Sequence, residues 1–185
     1  MATLAGPLRW LGQTALSSGF HSAGFLTIAG VPAHTLIVAA VAVLLPLAAL
    51  CSIGMAVHRG FRKRFGSATL VLTAIAVAAV PLAQFTGKQL AARLGTADPR
   101  IAHHVELGNQ LLPYALGFGV AVVVLLVAGK LADRERAAEE SSAKTWQRVS
   151  LLISVLVVAM AALTTVEVVR IGTTGAQAVW VGKTR

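Results

Sequence analysis

"HTLIVAAVAVLLPLAALCSIGMAVH", residues 34–58, decides the fold of this chain. Between its two histidines, Thr35 to Val57 run for 23 residues without a charge. At about 1.5 Å per residue, a helix of that length reaches about 34 Å and crosses a hydrocarbon core of roughly 30 Å. Lipid offers no water to an unpaired backbone group, so a run of Leu, Val, Ile and Ala this long reads as a helix. Two more uncharged runs have the same length, Phe65 to Gly87 and Leu107 to Gly129. Val149 to Val166 adds 18 residues and extends to Arg170, with Glu167 and Arg170 close to the headgroup region.

Composition agrees with this reading. Of 185 residues, 56 % are hydrophobic and 12 % charged, with a mean hydropathy of +0.77. Soluble domains run at about 45–50 % apolar and about 25 % charged. The expected fold is therefore an all-α membrane protein, four transmembrane helices in a bundle. The spans fall at 35–57, 65–87, 107–129 and 149–170 of a transmembrane domain covering 34–172. Pro46, Pro81 and Pro113 lie within the first three spans and read as kinks, because neighbouring groups in a membrane bundle satisfy the freed carbonyls. Residues 1–33 carry scattered Pro, Gly, Ser and Gln, and read equally as an interfacial segment anchored by Leu4, Leu8, Trp10 and Leu11 or as a partly ordered tail. Residues 173–185 read as a C-terminal tail.

Charge sets the expected orientation. The formal charge is +9, but the basic residues cluster at the ends of apolar runs, which argues for membrane orientation rather than nucleic-acid binding. The loops after spans one and three together hold nine Lys and Arg; the other side holds seven. "RGFRKR", 59–64, is compact and abuts the membrane, where the positive-inside rule acts most strongly. Both termini are accordingly expected outside a bacterial inner membrane, with the two basic loops in the cytoplasm. "KLADRERAAEESSAKTWQR", 130–148, reads as a solvated helical extension plus a turn. The lone Cys51 has no disulfide partner in the chain.

On that topology His34, His103, His104 and Glu106 collect at outer mouths of spans one and three, with His21 in the N-terminal segment. Gln84 and Lys88, and Glu167 and Arg170, end spans two and four on the same side. His58 joins the cytoplasmic rim. On span three, Glu106, Gln110, Pro113, Gly117, Ala121 and Val124 follow helical spacing and read as the stripe facing other helices; on span four Met160, Thr164 and Glu167 do so. A carboxylate at membrane depth needs a partner, and Arg170 at i+3 is the expected structural ion pair of Glu167. His34 and His104 end helices that run the same way and so lie at comparable depth. Across a bundle, two imidazoles can ligate a b-type haem, and with Glu106 or Glu167 they can hold a divalent metal. Spacing alone favours interface residues with satisfied hydrogen bonds over either ligand set.

Four stretches in order, "VPAHTLIVAAVAVLLPLAAL", "VPLAQFTGKQL", "HHVELGNQLLPYALG" and "VVRIGTTGAQAVW", resemble the bacterial membrane family called domain of unknown function 2231. The resemblance spans about Gly30 to Trp180. It implies a small multi-span protein, and a redox setting, since some relatives are joined to iron–sulfur or cytochrome-like domains. The family's first motif reads His-Pro-x-x-x-His; here His34 matches, Thr35 replaces the proline, and Ala39 stands at the second histidine. The third motif is kept at His104, Glu106, Leu107 and Gly108. The last, Gly-His-Ser-Gly-Ala in the family, reads Gly172, Thr173, Thr174, Gly175, Ala176. The resemblance thus implies a reduced histidine site.

No nucleophile–base pair, phosphate loop or dense metal cluster occurs, so an enzyme is not expected. The expected function is a non-catalytic accessory subunit of a larger, respiratory or other redox, membrane complex, or a homo-oligomer, in contact with lipid and with protein partners. A haem- or metal-binding electron-transfer protein using His34 and His104 is the second reading. A proton or small-solute pathway through Glu106 and Glu167 is the third, ranked last because the cytoplasmic halves of the spans are nearly all apolar.

Overall fold

The computed structural model describes residues 27–28, 30–94, 99–138 and 142–180. Most of the expected N-terminal segment, including His21, and residues 181–185 of the expected tail lie outside them. A short antiparallel hairpin comes first, β1 (Thr27–Ile28) paired with β2 (Val31–Pro32). Gly30 turns it at φ +79°, a left-handed conformation that glycine adopts without steric cost. Four helices follow: α1 (Ala33–Val57), α2 (Arg59–Leu94), α3 (Pro99–Ala137) and α4 (Ala143–Trp180).

All four are long and apolar enough to cross a membrane. The helices outrun the charge-free segments, and α2, α3 and α4, at 36, 39 and 38 residues, are longer than a hydrocarbon core of roughly 30 Å is thick. The segment expected as a tail from residue 173 is helical through Trp180. Nothing there breaks a helix: no proline occurs, and Thr173 and Thr174 return their hydroxyls to the Arg170 and Ile171 carbonyls at 2.8 and 3.0 Å. Pro46, Pro81 and Pro113 all sit inside continuous helices.

The helices form a ring in which α1 packs on α2, α2 on α3, α3 on α4, and α4 back on α1. The diagonal pair α1 and α3 barely meets. Inside the ring lie Leu45, Met55, Val80, Phe118, Val122, Leu125 and Val157, each at most 1 % exposed. Outside it Val43, Leu50, Val71, Leu152 and others stand exposed for lipid. Small residues bring backbones close: at Gly117 an added Cβ would come within 2.7 Å of Met160 Cε, and at Gly66 within 2.8 Å of Leu126 Cδ2.

The inward stripe of α3 differs from the one read from sequence. Leu107, Leu111, Ala115, Phe118, Val122 and Leu125 are buried, whereas Glu106, Gln110, Pro113 and Val124 are exposed. Of the expected stripe, Ala121 is buried and Gly117 packs against Met160, while the other four face out, because in lipid the apolar residues line both sides of a helix and only packing separates them. On α4 Thr164 and Glu167 are buried and Met160 is partly buried, alongside Val157, Ala161, Val168 and Ile171. The end of the bundle nearer Arg59 also holds buried hydroxyls that the apolar reading of that half passed over: Ser52, Thr69, Thr73, Ser150 and Ser154. Thr73 and Ser154 close on carbonyls of their own helices at 2.8 Å, whereas the Ser52 hydroxyl is buried without a partner.

Thr164 instead reaches across to the Tyr114 carbonyl of α3, at 3.3 Å. Hydrogen bonds between membrane helices average about 0.6 kcal/mol. Thr164→Val is therefore expected to lower unfolding free energy in mixed micelles by about that amount. A loss above about 2 kcal/mol would mean that Thr164 does more than bridge two helices.

At the arginine end a single carboxylate ties α2 to α3. Asp133 pairs with Arg59, with Lys63 at 3.5 Å and with Arg136 at 3.4 Å. Arg62 lies across Gly129, where a Cβ would come within 2.7 Å of its Nε, and donates to the Met55 carbonyl at 3.3 Å. His58 is the one residue between α1 and α2, and its Nδ1 accepts from the Phe61 amide at 3.0 Å. It caps the start of α2, a local role that its place in a basic run conceals.

Candidate functional site

Near the opposite end, a cavity of about 440 Å³ opens between the four helices. That is within the roughly 300–1,000 Å³ of cofactor and ligand sites. Its wall is mostly aliphatic or small, and both His34 and His104 line it. The two imidazoles therefore reach one space from diagonally opposed helices.

Each ring is fastened to the helix beside it. His34 Nδ1 lies 3.1 Å from the Ala83 carbonyl and 3.3 Å from Thr86 Oγ1, both on α2. His104 Nδ1 lies 3.2 Å from Thr174 Oγ1 on α4, with the Ile171 carbonyl a second acceptor for the ring. Glycine makes room on each side. A Cβ at Gly87 would stand 2.9 Å from His34 Cε1, and one at Gly175 would stand 2.9 Å from His104 Cε1. With the Nδ1 edge taken up by the neighbouring helix, Nε2 is the nitrogen of each ring that can reach a ligand.

Gln84 closes the wall between α2 and α3, donating to the Gly108 carbonyl at 2.9 Å. Lys88, Asn109 and Trp180 stand at the lining as well, so one cation borders an otherwise apolar chamber.

Neither carboxylate of the expected divalent-metal set reaches this cavity. Glu106 follows His104 by two residues, which turns it about 200° around the helix to the exposed face. Glu167 precedes Val168, the first cavity residue of α4, and is buried at 7 % exposure against the packing face. Its Oε1 receives Arg170 Nη1 at 2.8 Å, while Oε2 is buried without a partner. Among the described residues no three His, Cys, Asp or Glu side chains converge on a point that could hold a metal ion. A metal held by His34, His104, Glu106 and Glu167 together does not fit this geometry. His103 faces outward, away from the pair.

Thr86, Gly87, Thr174 and Gly175 are the site residues that inspection of the sequence passed over. Their signal was a Thr-Gly pair near the end of both α2 and α4. No curated protein and no solved structure matches the chain. A family model described as "Predicted membrane protein (DUF2231)" matches residues 30–185, from the hairpin turn through β2 and all four helices. With four membrane-length helices and its histidine motifs inside the matched region, the chain belongs to the membrane-protein family known as domain of unknown function 2231.

Proposed function

We propose that this protein is a non-catalytic membrane subunit that binds a b-type haem between His34 and His104. One observation carries the reading: two imidazoles from diagonal helices border a single apolar cavity, each tied through Nδ1 and each with Nε2 left for a ligand. A bare divalent ion needs more protein ligands than these two, whereas the macrocycle of haem brings four nitrogens of its own and asks the protein only for axial ligands. The aliphatic and glycine-rich wall suits a flat apolar ring, and Lys88 at the lining suits the ligand's carboxylates. Bound there, haem supplies one-electron transfer. The chain's part is to ligate, to exclude water and to hold both rings still. A protein that only carries electrons requires redox partners, so membership of a larger membrane complex follows from this reading. On charge distribution, we place the histidine end outside and the Arg59 end in the cytoplasm.

The test is a visible spectrum of the chain expressed with haem supplied and purified in mild detergent. A Soret band with stoichiometric haem is expected, and His34→Ala and His104→Ala are each expected to abolish low-spin six-coordinate haem. A colourless wild-type protein would overturn the haem reading and leave an accessory subunit without a cofactor. A His104→Ala variant with the wild-type spectrum would move the axial ligand elsewhere.

A further inference from the structure

The cavity is built twice from one pattern. On α1, His34, Thr35, Val38 and Val41 line it; the α3 residues 70 positions later, His104, Val105, Gly108 and Leu111, line it too. On α2, Val80, Ala83, Gln84 and Gly87 line it; on α4 the residues 88 positions later, Val168, Ile171, Gly172 and Gly175, do the same. The ring of helix contacts has matching symmetry, with α1–α2 answering α3–α4 across an axis along the bundle. Parallel repeats related by an axis along the membrane normal are a known way to build membrane proteins, with binding sites at the repeat interface.

The repeat extends to the hydrogen bonds, and there it has chemical content. Thr86 Oγ1 has a single hydrogen, and the carbonyls of its own helix take it: Leu82 at 2.9 Å or Ala83 at 3.2 Å. Toward His34 the hydroxyl is left to accept. The Ala83 carbonyl can only accept. Both groups near His34 Nδ1 are acceptors, so Nδ1 must carry the proton, and the neutral ring presents an Nε2 lone pair to the cavity. Thr174 repeats the arrangement: its hydrogen goes to the Ile171 carbonyl at 3.0 Å, and it accepts from His104 Nδ1 at 3.2 Å.

We propose that Thr86 and Thr174 are paired positioning residues, one in each half of an internal duplication, that fix His34 and His104 as Nδ1–H tautomers and thereby make Nε2 the ligating atom of both. This deepens the haem reading but is tested without haem. In protein labelled with ¹⁵N-histidine and free of cofactor, at a pH of about 8.5 where an ordinary imidazole is neutral, the one- and two-bond ¹⁵N–¹H correlations report which nitrogen bears the proton. Both rings are expected protonated at Nδ1. Thr86→Val is expected to shift the Nδ1–H signal of His34 and leave that of His104, and Thr174→Val the reverse; Thr86→Ser and Thr174→Ser are expected to restore the wild-type spectra. With haem, each valine variant is expected to lose about 10–100-fold in affinity, the usual cost of removing a group that orients a ligating histidine, and each serine variant is expected to recover it.

An Nε2–H tautomer at either ring, or valine variants whose own histidine signal and haem affinity stay at wild type, would overturn the proposal. If the wild-type chain binds no haem yet both rings are Nδ1–H and respond to their own threonine, the cradles stand and the haem reading falls.

Discussion

Gly175→Val and Gly87→Val should each weaken haem binding by up to about 150-fold while leaving the bundle folded. The space beside each imidazole is already full: one added carbon at either position would stand 2.9 Å from the ring's Cε1, closer than atoms tolerate. The ring must then tilt away from its threonine. Over-packing of this kind costs about 1–3 kcal/mol, which is about 5–150-fold in affinity when it falls on the ligating group. Alanine should show the lower part of that range and valine the upper. The control is internal to the cavity. Gly108 and Gly172 line it as well, but a Cβ at either has nothing within 4 Å. Gly108→Ala and Gly172→Ala should leave both histidine NMR spectra unchanged, so any loss of binding there reports contact with the haem itself. A Gly175→Val protein with full haem and a wild-type spectrum would show that His104 does not depend on this cradle.

Asp133→Arg should give the largest loss of stability. Asp133 is the shared carboxylate for Arg59, Lys63 and Arg136, and it is mostly buried, with 23 % of its side chain exposed. Removing one partner of a buried pair costs about 3–5 kcal/mol. Arg59 and Lys63 are themselves 44 % and 56 % exposed, so water and salt reduce that figure. A loss of about 2 kcal/mol is expected for Asp133→Asn, and more for arginine, which adds a cation to the cluster. The midpoint of unfolding in mixed micelles measures it. Because the surviving interaction is repulsion between partly exposed charges, raising salt from about 0.05 to 0.5 M should recover part of the loss for the arginine variant. An unmoved midpoint would show that the cluster is only a solvated rim.

The spans were legible because charge is absent for 18 to 23 residues at a time, a pattern with one physical solution in lipid. The inward faces were not. Leu107 and Val124 look alike in sequence, yet one is buried and the other faces out. His34 and His104 could be placed at the same depth from helix direction alone, but sharing a cavity depends on how four helices close into a ring. The resemblance left one role unread. Read against the family pattern, "GTTGA" is a motif that has lost its histidine. In the fold, its Thr174 holds the imidazole of His104 and its Gly175 makes room for the ring. Glu106 lies away from the cavity for a simpler reason: two residues along a helix from His104, it points to the opposite side.

The barely touching diagonal has a mechanical meaning. Each histidine belongs to a different hairpin, and the two hairpins meet along the α1–α4 and α2–α3 seams. On the haem reading, a ligand gripped by both rings would act as a rivet through the middle of the molecule. It ties together the two elements that the protein leaves unjoined, and at about a thousand times its dissociation constant it adds about 4 kcal/mol against their separation. On the haem reading, loading would add to seams that already hold the two halves together, Gln84 on the Gly108 carbonyl at the histidine end and the Asp133 clasp at the other.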